Sequence, residues 1–413
     1  MKQTIKLAVV AALALGATSA YATNGAALIG MGAEARGMAG TGIGMAHGAE
    51  SALVNPALIT SVEKTEISFG GTLFMPDVSF KSQGGTTADS DANMNVIPEV
   101  SLATKINDNF YVGIGMWGTG GMGVDYRDAA ASAGTMNMVT NLQLMQFGVP
   151  LAYTTNGFSV AVTPILQYGS LDINYATGNP ANPDNGMGVA QDLKFGYNIG
   201  LAYQVSGITI GAIYKSQIDM EYKGFGSVVS PFTNTSLGGG NGVYDNNKLS
   251  TPAEIGIGAS YAYGANTVAL DYKQIKWSDA DGYKDFEWDD QNVISLGYEY
   301  KASGWAARVG YNYASSPISE QSATYNNSAD LNGYTINMFN LLGFPGIVES
   351  HYAVGASFDI NAQTSVDFAF TYAPEVTDTY NTARSDGQGG QVVYEITTKH
   401  SQTGASAQLN FNF

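Results

Sequence analysis

The chain has 413 residues, of which only 13% are charged; Gly accounts for 51 residues, Tyr for 25 and Cys for none. The absence of Cys excludes a disulfide framework, a thiolate metal site and a catalytic thiol. The formal net charge of −17 makes nucleic acid an unfavourable partner, since an acidic surface repels phosphate backbones. With 45% apolar residues and only 12 Pro, the composition is that of a folded chain.

The first 22 residues have the layout of a secretory signal peptide. Lys2 and Lys6 precede an apolar run, 7–17, that is too short to span a bilayer, and Ala-Tyr-Ala at 20–22 supplies a cleavage site. We therefore expect the mature chain to begin near Thr23; a short membrane anchor is the alternative. After residue 22 no apolar stretch is long enough for a membrane helix, so we expect either a soluble protein or a membrane β-barrel.

From about residue 64 onward, apolar residues alternate with small or polar ones. In 365–372, for example, the sequence reads Ser-Val-Asp-Phe-Ala-Phe-Thr-Tyr. Such a period of two predicts strands with one apolar face. The segments run roughly 10 to 18 residues, which is longer than most strands of a soluble sandwich and enough to cross a bilayer at a tilt. Aromatic residues near the segment ends fit interfacial girdles: Tyr203, Tyr300, Tyr313 and Tyr372.

The alternating pattern predicts fourteen strands. They are 64–76, 94–106, 109–126, 136–154, 157–175, 191–205, 207–222, 248–263, 266–278, 290–302, 304–316, 350–360, 363–373 and 392–413. Short turns alternate strictly with long links, which fall at 77–93, 127–135, 176–190, 223–247, 279–289, 317–349 and 374–391. This layout predicts an all-β fold, a 14-stranded antiparallel transmembrane β-barrel over residues 63–413, with its apolar face toward lipid.

The last strand ends in Leu-Asn-Phe-Asn-Phe at Phe413. An alternating final strand with a terminal Phe is typical of the assembly signal of bacterial outer-membrane barrels. We therefore expect the barrel assembly machinery, outer membrane lipid and lipopolysaccharide as partners, and the bacterial outer membrane as the location.

Residues 23–62 do not alternate and are rich in Gly, Ala and Met. Small residues allow tight turns and close packing. Because a barrel of fourteen strands encloses more space than its own side chains fill, we expect this segment to form a plug inside the lumen. A flexible periplasmic extension is the alternative.

The same region carries a family resemblance. The motif Asn-Pro-Ala-Leu-Ile-Thr at 55–60, preceded by the Gly-rich 37–42, resembles the N-terminal hatch of FadL-type outer membrane transporters of long-chain fatty acids. Ile97-Pro98, then 105–110 and the glycines that follow, are similar to the second and third strands of that family. The hatch motif is the most specific element, whereas the loops match poorly, and 176–190 looks short for a fatty acid transporter.

The resemblance implies a passive importer of a hydrophobic small molecule. The ligand is captured in a groove among extracellular loops, moves to a lumenal site beside the mature N-terminus, and leaves sideways at an inward kink of the third strand. Neither enzymatic activity nor a cofactor or metal is expected. Long-chain fatty acids and neutral aromatic hydrocarbons both stay open as cargo. The hatch and lumenal site are assigned to Thr23, Asn24, Gly25, Asn55, Pro56 and Ala57.

Four glycines interrupt the alternation of the third strand: Gly118, Gly120, Gly121 and Gly123. Glycine inside a strand marks a bulge, a bend or a close approach, so these residues are the predicted kink for lateral exit. The alternative is a patch of small residues that packs against the plug.

Two long loops carry apolar clusters, predicted as the low-affinity capture groove: Phe225, Val228, Val229 and Phe232 in one, and Phe339, Leu341, Leu342 and Phe344 in the other. Exposed apolar clusters on loops usually form a binding surface or pack against a neighbouring loop. Both interpretations stay open, and a groove with packed walls would combine them.

A fatty acid carboxylate would need a cation, and we select Arg308 and Lys215 as possible partners. Arg308 has the parity of the lumen face, and a guanidinium binds a carboxylate with two hydrogen bonds. The alternative is that such a cation pairs with a neighbouring acid, for which Asp271, Glu299 and Asp367 are candidates.

Three other patterns lack their required context. Residues 113–118 match G-x-G-x-x-G but lie inside a strand with no helix after it. The acidic run 279–290 has the wrong offsets for an EF-hand, which leaves a solvated loop, with divalent-ion bridging to lipopolysaccharide as a minor possibility. His47, His351 and His400 are scattered and accompany no G-x-S-x-G elbow. A lipase-like barrel enzyme and an adhesin are therefore the alternatives to a transporter.

Overall fold

The computed structural model describes residues 24–233, 246–322, 332–385 and 391–413. The predicted signal peptide and Thr23 lie outside the described residues, as do parts of the loops predicted at 223–247, 317–349 and 374–391.

The architecture is a closed barrel of fourteen antiparallel strands, as predicted. The strands are β1 (Thr65–Ser82), β2 (Asn95–Lys105), β3 (Phe110–Asp125), β4 (Val139–Gly148 continued by Leu151–Thr155), β5 (Phe158–Asn179), β6 (Ala190–Val205), β7 (Ile208–Lys215), β8 (Glu254–Tyr263), β9 (Asn266–Ile275), β10 (Gln291–Ala302), β11 (Trp305–Ala314), β12 (Ser350–Asn361), β13 (Thr364–Ser385) and β14 (Gln391–Asn412). Each strand pairs with the next along the chain. β1 pairs with β14 from Glu66 and Asn412 to Ser82 and Ile396, which closes the barrel.

The period of two in the sequence separates an apolar outer face from a small and polar inner face. In β6, Phe195 is 81% exposed and Ile199 and Leu201 are exposed, whereas Asn198 and Ala202, which have the opposite parity, are buried. The tyrosines predicted for the aromatic girdles are exposed on the outer face: Tyr203, Tyr300, Tyr313 and Tyr372. The outer surface is thus suited to lipid and the inner one to a lumen.

Several strand ends differ from the prediction. β13 and β14 keep pairing as far as Ser385 and Gln391, so most of the link predicted at 374–391 is a hairpin. β7 ends at Lys215 instead of residue 222. β4 is interrupted at 149–150, where Pro150 has no N–H to donate to a ladder.

The long-loop end of the barrel is covered by short helices that the alternating pattern did not predict. These are α-helices Phe225–Thr233 and Asn332–Leu342 and 3-10 helices Ala131–Ala133, Trp277–Asp279 and Tyr283–Phe286, with short strands Ala88–Asp89 and Asn182–Gly186. We call the elements within 216–253, 276–290 and 315–349 the loop cap. Within the described ranges, no helix is both long and apolar enough to cross a membrane.

Residues 24–62, called here the N-terminal segment, contain no long element. They form α-helices Gly32–Gly37 and Ser51–Val54 and 3-10 helices Gly48–Glu50 and Pro56–Ser61. Most of their residues are buried. The residues that bury this segment lie on the barrel strands and in the loop cap.

Candidate functional site

The N-terminal segment is hydrogen-bonded to inward-facing side chains from distant strands. The Asp271 carboxylate of β9 accepts from the amides of residues 42, 43 and 44 at 2.7, 2.8 and 3.3 Å. The Gln408 side chain of β14 accepts from the Ala33 amide at 2.9 Å. Because these partners lie on well-separated strands of one closed wall, the segment runs across the lumen between them.

Two buried arginines add ion pairs to these bonds. Arg36 of the segment binds the Glu99 carboxylate of β2 with both terminal nitrogens, one of them at 2.8 Å. Arg308 of β11 lies 2.8 Å from Glu34 of the segment and 2.7 Å from Glu299 of β10. Arg308 is therefore engaged by neighbouring acids, of which Glu299 was the one expected and Glu34 was missed.

The charge of Glu34 depends on this environment. Burial favours the neutral carboxyl, but Arg308 and then His47 outweigh burial and lower the pKa of Glu34 to about 2. Glu34 therefore stays ionised, and its pair with Arg308 stays formed, through the neutral and mildly acidic range.

The Asn-Pro-Ala motif fixes the segment to the wall. The Asn55 amide nitrogen donates to the Ile43 carbonyl at 2.7 Å and to the Leu201 carbonyl of β6 at 3.1 Å, and its oxygen accepts from the Ala57 amide. A Cβ at Gly200 of β6 would lie 2.2 Å from the Asn55 side-chain oxygen, so a glycine is needed there. Asn55, Pro56 and Ala57 thus contact the wall and do not line the main cavity described below.

The barrel wall has an interruption next to the segment. β2 and β3 pair from Lys105 and Tyr111 only as far as Glu99 and Trp117. Beyond that point β2 continues along β1 to Asn95, while β3 continues along β4 with a register shift between Gly118 and Gly120. Within the described residues, the ladder between β2 and β3 therefore stops at the first predicted glycine, beside Pro98, which has no amide donor.

At this interruption the backbone of the N-terminal segment forms hydrogen bonds with the backbone of β3. The Gly121 amide donates to the Ala26 carbonyl at 3.0 Å, and the Leu28 amide donates to the Thr119 carbonyl at 3.3 Å. A Cβ at Gly120 would lie 2.5 Å from the Ala26 carbonyl oxygen. The glycines thus combine the two predicted features, a register shift in β3 and a close contact with the segment.

The main cavity lies in the lumen between the segment, β3, β4, β6 to β10 and the loop cap, and its empty space of about 1070 Å³ includes open solvent. Its apolar lining includes Leu142, Leu144, Val293, Trp277 and Tyr283. Burial raises the pKa of the Tyr283 hydroxyl in the cap. The segment itself contributes residues 26–31, which separate this cavity from a smaller one against β1, β2 and β12 to β14.

The charged end of the main cavity contains Lys215, which was predicted, and Lys273 and Glu254, which were missed. The ammonium nitrogens of Lys215 and Lys273 lie 3.4 and 3.1 Å from the same Glu254 oxygen. Asn198 lines the cavity too, and its buried amide nitrogen has no hydrogen-bond partner among the described residues. The alternation in β8 and β9 could have found the missed pair, since Lys273 shares the inward parity of Asp271.

The residues predicted for an apolar capture groove are buried in the loop cap: Phe225, Val228, Val229, Phe232, Phe339, Leu341, Leu342 and Phe344. Phe339 stacks on Phe286 with ring centroids 4.4 Å apart. The described loops are therefore packed on one another through these side chains.

The loop cap also contacts the first described residues of the chain. Gly25 has a positive φ of 61°, and a Cβ there would lie 2.8 Å from Trp277 and 3.1 Å from Trp288. The two indole rings are 5.2 Å apart, and the Trp288 N–H donates to the Asn340 side chain at 3.0 Å. The cap, the N-terminal segment and the β3 interruption thus form one continuous set of contacts. Asn24 and Gly25 were predicted near a lumenal site, but neither lines the main cavity.

The histidines and the acidic loop, which were the remaining candidates for a site, form contacts within the protein. His400 and His351 are buried and joined through Gln402, with His400 also bonded to the Pro345 carbonyl at 2.8 Å. In the acidic loop, Asp281 pairs with Lys284 and Asp290 pairs with Lys276. Among the described residues, no group of His, Asp and Glu side chains could hold a metal ion.

The amino-acid sequence is similar to that of known outer membrane proteins. A family model described as "Outer membrane protein transport protein (OMPP1/FadL/TodX)" matches residues 10–326. The chain is 26% identical over 342 residues to a long-chain fatty acid transport protein of Escherichia coli O6:H1, covering 67% of this chain and 76% of that protein. It is 24% identical over 369 residues to a 47 kDa outer membrane protein of Pasteurella multocida, covering 80% and 84%.

Two solved structures share the fold over most of the chain. One is a FadL homologue of Pseudomonas aeruginosa, with a TM-score of 0.70, 16% identity and coverage of 94% of this chain and 100% of that one. The other is the toluene transporter TodX of Pseudomonas putida, with a TM-score of 0.66, 16% identity and coverage of 94% and 99%.

Proposed function

Because the chain belongs to the OMPP1/FadL/TodX family of outer membrane transport proteins, we propose that it is a passive importer of hydrophobic compounds whose cargo is long-chain fatty acids. The protein is an outer membrane β-barrel transporter. On this proposal, transport uses no energy source of its own. The cargo's own gradient drives the flux.

The observation that carries the choice of cargo is the pair of lysines at one end of a cavity whose lining is also partly apolar. Lys215 and Lys273 face the same space as Leu142 and Leu144. An ammonium pair attracts a carboxylate head group, while the apolar lining favours an acyl chain. A neutral hydrocarbon gains nothing from the lysines.

A second cargo class is favoured by the aromatic part of the same lining. Trp277 and Tyr283 line the cavity, and aromatic side chains suit an aromatic hydrocarbon. The toluene transporter with the same fold is consistent with that cargo. The two classes differ in charge, so lysine variants separate them.

For the route, we propose entry through the loop cap, residence in the main cavity and lateral exit between β2 and β3. The interruption beyond Glu99 and Trp117 supports the exit, because the wall there lacks a ladder between neighbouring strands. In the present conformation residues 26–28 bind the β3 edge. Passage therefore requires these residues to leave that edge, and the cap contacts at Gly25 offer a link between ligand entry and that movement.

The test of the cargo is uptake by cells that lack an importer of their own and express this protein. We expect uptake of radiolabelled oleate to fall at least tenfold in the K215M/K273M double variant, with toluene uptake unchanged. K194M is the matched control, since Lys194 lies on neighbouring β6 and pairs with Asp192 outside the cavity lining. Oleate uptake that is equal with and without the protein would refute the proposal, and uptake of toluene but not of oleate by the unmodified protein would favour the aromatic cargo.

A further inference from the structure

Three side chains on adjacent strands meet at the charged end of the main cavity. Lys215 and Glu254 are direct cross-strand partners of β7 and β8, and Lys273 projects from the next strand, β9. Both ammonium groups contact Oε2 of Glu254, at 3.4 and 3.1 Å. The side chains are 20%, 13% and 15% exposed, respectively, so water screens the cluster only in part.

The hydrogen-bond donors near Glu254 are more than its carboxylate uses. Asn198 pairs with Lys215 in the β6–β7 ladder, lines the cavity and carries a buried amide nitrogen without a partner among the described residues. The other acid in the lining, Asp271, is held by three amides of the N-terminal segment. Glu254 is therefore the carboxylate that contacts both lysines. The lysines and Asn198 together have donors left for a second anion.

We propose that Glu254 is a resident counterion that competes with the carboxylate of the cargo for Lys215 and Lys273, and so determines the affinity for anionic cargo. The inference rests on the proposed function and adds a specificity-determining residue to it. A cargo carboxylate that enters the cavity meets donors already shared with Glu254. The competition weakens binding and lets the cargo leave the lumen, which a passive importer requires for turnover.

The charge arithmetic gives the direction of the effect. The two lysines and Glu254 carry a formal charge of +1, and Glu254→Gln raises it to +2 while keeping the shape of the side chain. Coulomb attraction over a few ångströms in a partly buried site is strong enough for such a change to alter binding at least tenfold. An uncharged ligand with the same chain is expected to be insensitive to the substitution.

The experiment measures binding of dodecanoate and of 1-dodecanol to the full-length purified barrel by calorimetry in a zwitterionic detergent. We expect dodecanoate to bind E254Q at least tenfold more tightly than the unmodified protein, with the gain reduced at high salt. Binding of 1-dodecanol should be the same in both. D192N is the matched control, because Asp192 also pairs with a lysine on an inward face but does not line the cavity.

The outcomes separate this inference from the proposed function. Equal or weaker dodecanoate binding by E254Q, with a barrel that still shows heat-modifiable migration, would overturn the role of Glu254 while leaving oleate uptake as evidence for import. An equal gain in D192N would show a general charge effect and would overturn it too. If E254Q fails to fold, K273M is the second variant: weaker dodecanoate binding is expected, and unchanged binding refutes the competition. Absence of dodecanoate binding in every variant also refutes it.

Discussion

Asn55 shows how one side chain can hold a segment that has little secondary structure. Its amide nitrogen donates to two carbonyls and its oxygen accepts from one amide. We expect Asn55→Ala to weaken docking of the N-terminal segment by about 2 kcal/mol, since a buried polar group left unpaired costs that much. Limited proteolysis of the folded barrel should then cleave within residues 24–62. Thr60→Ala is the control, because Thr60 is half-buried and bonds mainly to its own turn; equal cleavage in both variants would contradict the role of Asn55.

Gly25 supplies a second test at the scale of one residue. Gly25→Ala places a methyl group against Trp277 and also strains a backbone with positive φ, whereas Gly264→Ala adds the same strain in open space. We expect Trp fluorescence to shift to the red in the Gly25 variant only, because two of the four tryptophans contact this glycine. A red shift of equal size in the Gly264 variant would assign the effect to the backbone and not to the indole contact.

Glu34 gives the expected response to acid. Its pKa is lowered from an ordinary value of 4.5 to about 2, so its pair with Arg308 contributes stability above pH 4.5 that is lost as the pH falls toward 2. We expect docking of the N-terminal segment to weaken over that pH window. The Trp fluorescence of the folded barrel, recorded as a function of pH, measures this change. In Glu34→Gln the transition should be smaller. An unchanged transition would mean that other carboxyl groups control it.

At the scale of the element, β3 is the strand whose sequence and pairing diverge most from its neighbours. Replacing Gly118 and Gly120 by Val introduces Cβ atoms 2.7 Å from Ile97 and 2.5 Å from the Ala26 carbonyl oxygen. Valine also favours continuous strand pairing. We expect the double variant to assemble as a barrel, shown by heat-modifiable migration, and to lose oleate uptake.

The matched control for this prediction is Gly196→Val/Gly404→Val, which places valine against the Ile218 and Thr371 side chains in β6 and β14, two strands whose ladders run to β5, β7, β1 and β13 and not to β2 or β3. Uptake by the control should persist if it assembles. Normal oleate uptake by the β3 variant would contradict lateral exit between β2 and β3.

The elements also show what the sequence contains and what it does not. The fourteen strands are predictable because a lipid-facing strand must alternate. The Phe225–Thr233 helix was missed, although its apolar residues at 225, 228, 229 and 232 have the spacing of one helix face. The end of the β2–β3 ladder could not be predicted, since it depends on the register of two strands and on the segment that binds between them. The same holds for Arg308, whose partner Glu34 is 274 residues away in the chain.

At the scale of the whole molecule, the lumen is divided by its own chain. Residues 26–31 run between the main cavity and the smaller one, and the β2–β3 interruption lies where the two meet, with Ile97 on one side and Thr119 on the other. Composition could indicate that 23–62 was unlike a strand. The placement of those residues follows from partners spread over β2, β9, β11 and β14, which no local pattern identifies.

The pairing of β1 with β14 has a consequence for biogenesis. The Phe413 amide donates to the Thr65 carbonyl, so the end of β14 is hydrogen-bonded to the start of β1. The barrel therefore cannot close until β14 has been synthesised and exported. Residues 24–62 precede every strand of the barrel in the chain and bind strands spread around its wall, so we expect them to enter the curved sheet before β1 and β14 pair. Chains truncated before the last strand should accumulate as open, protease-sensitive sheets with an unpaired edge.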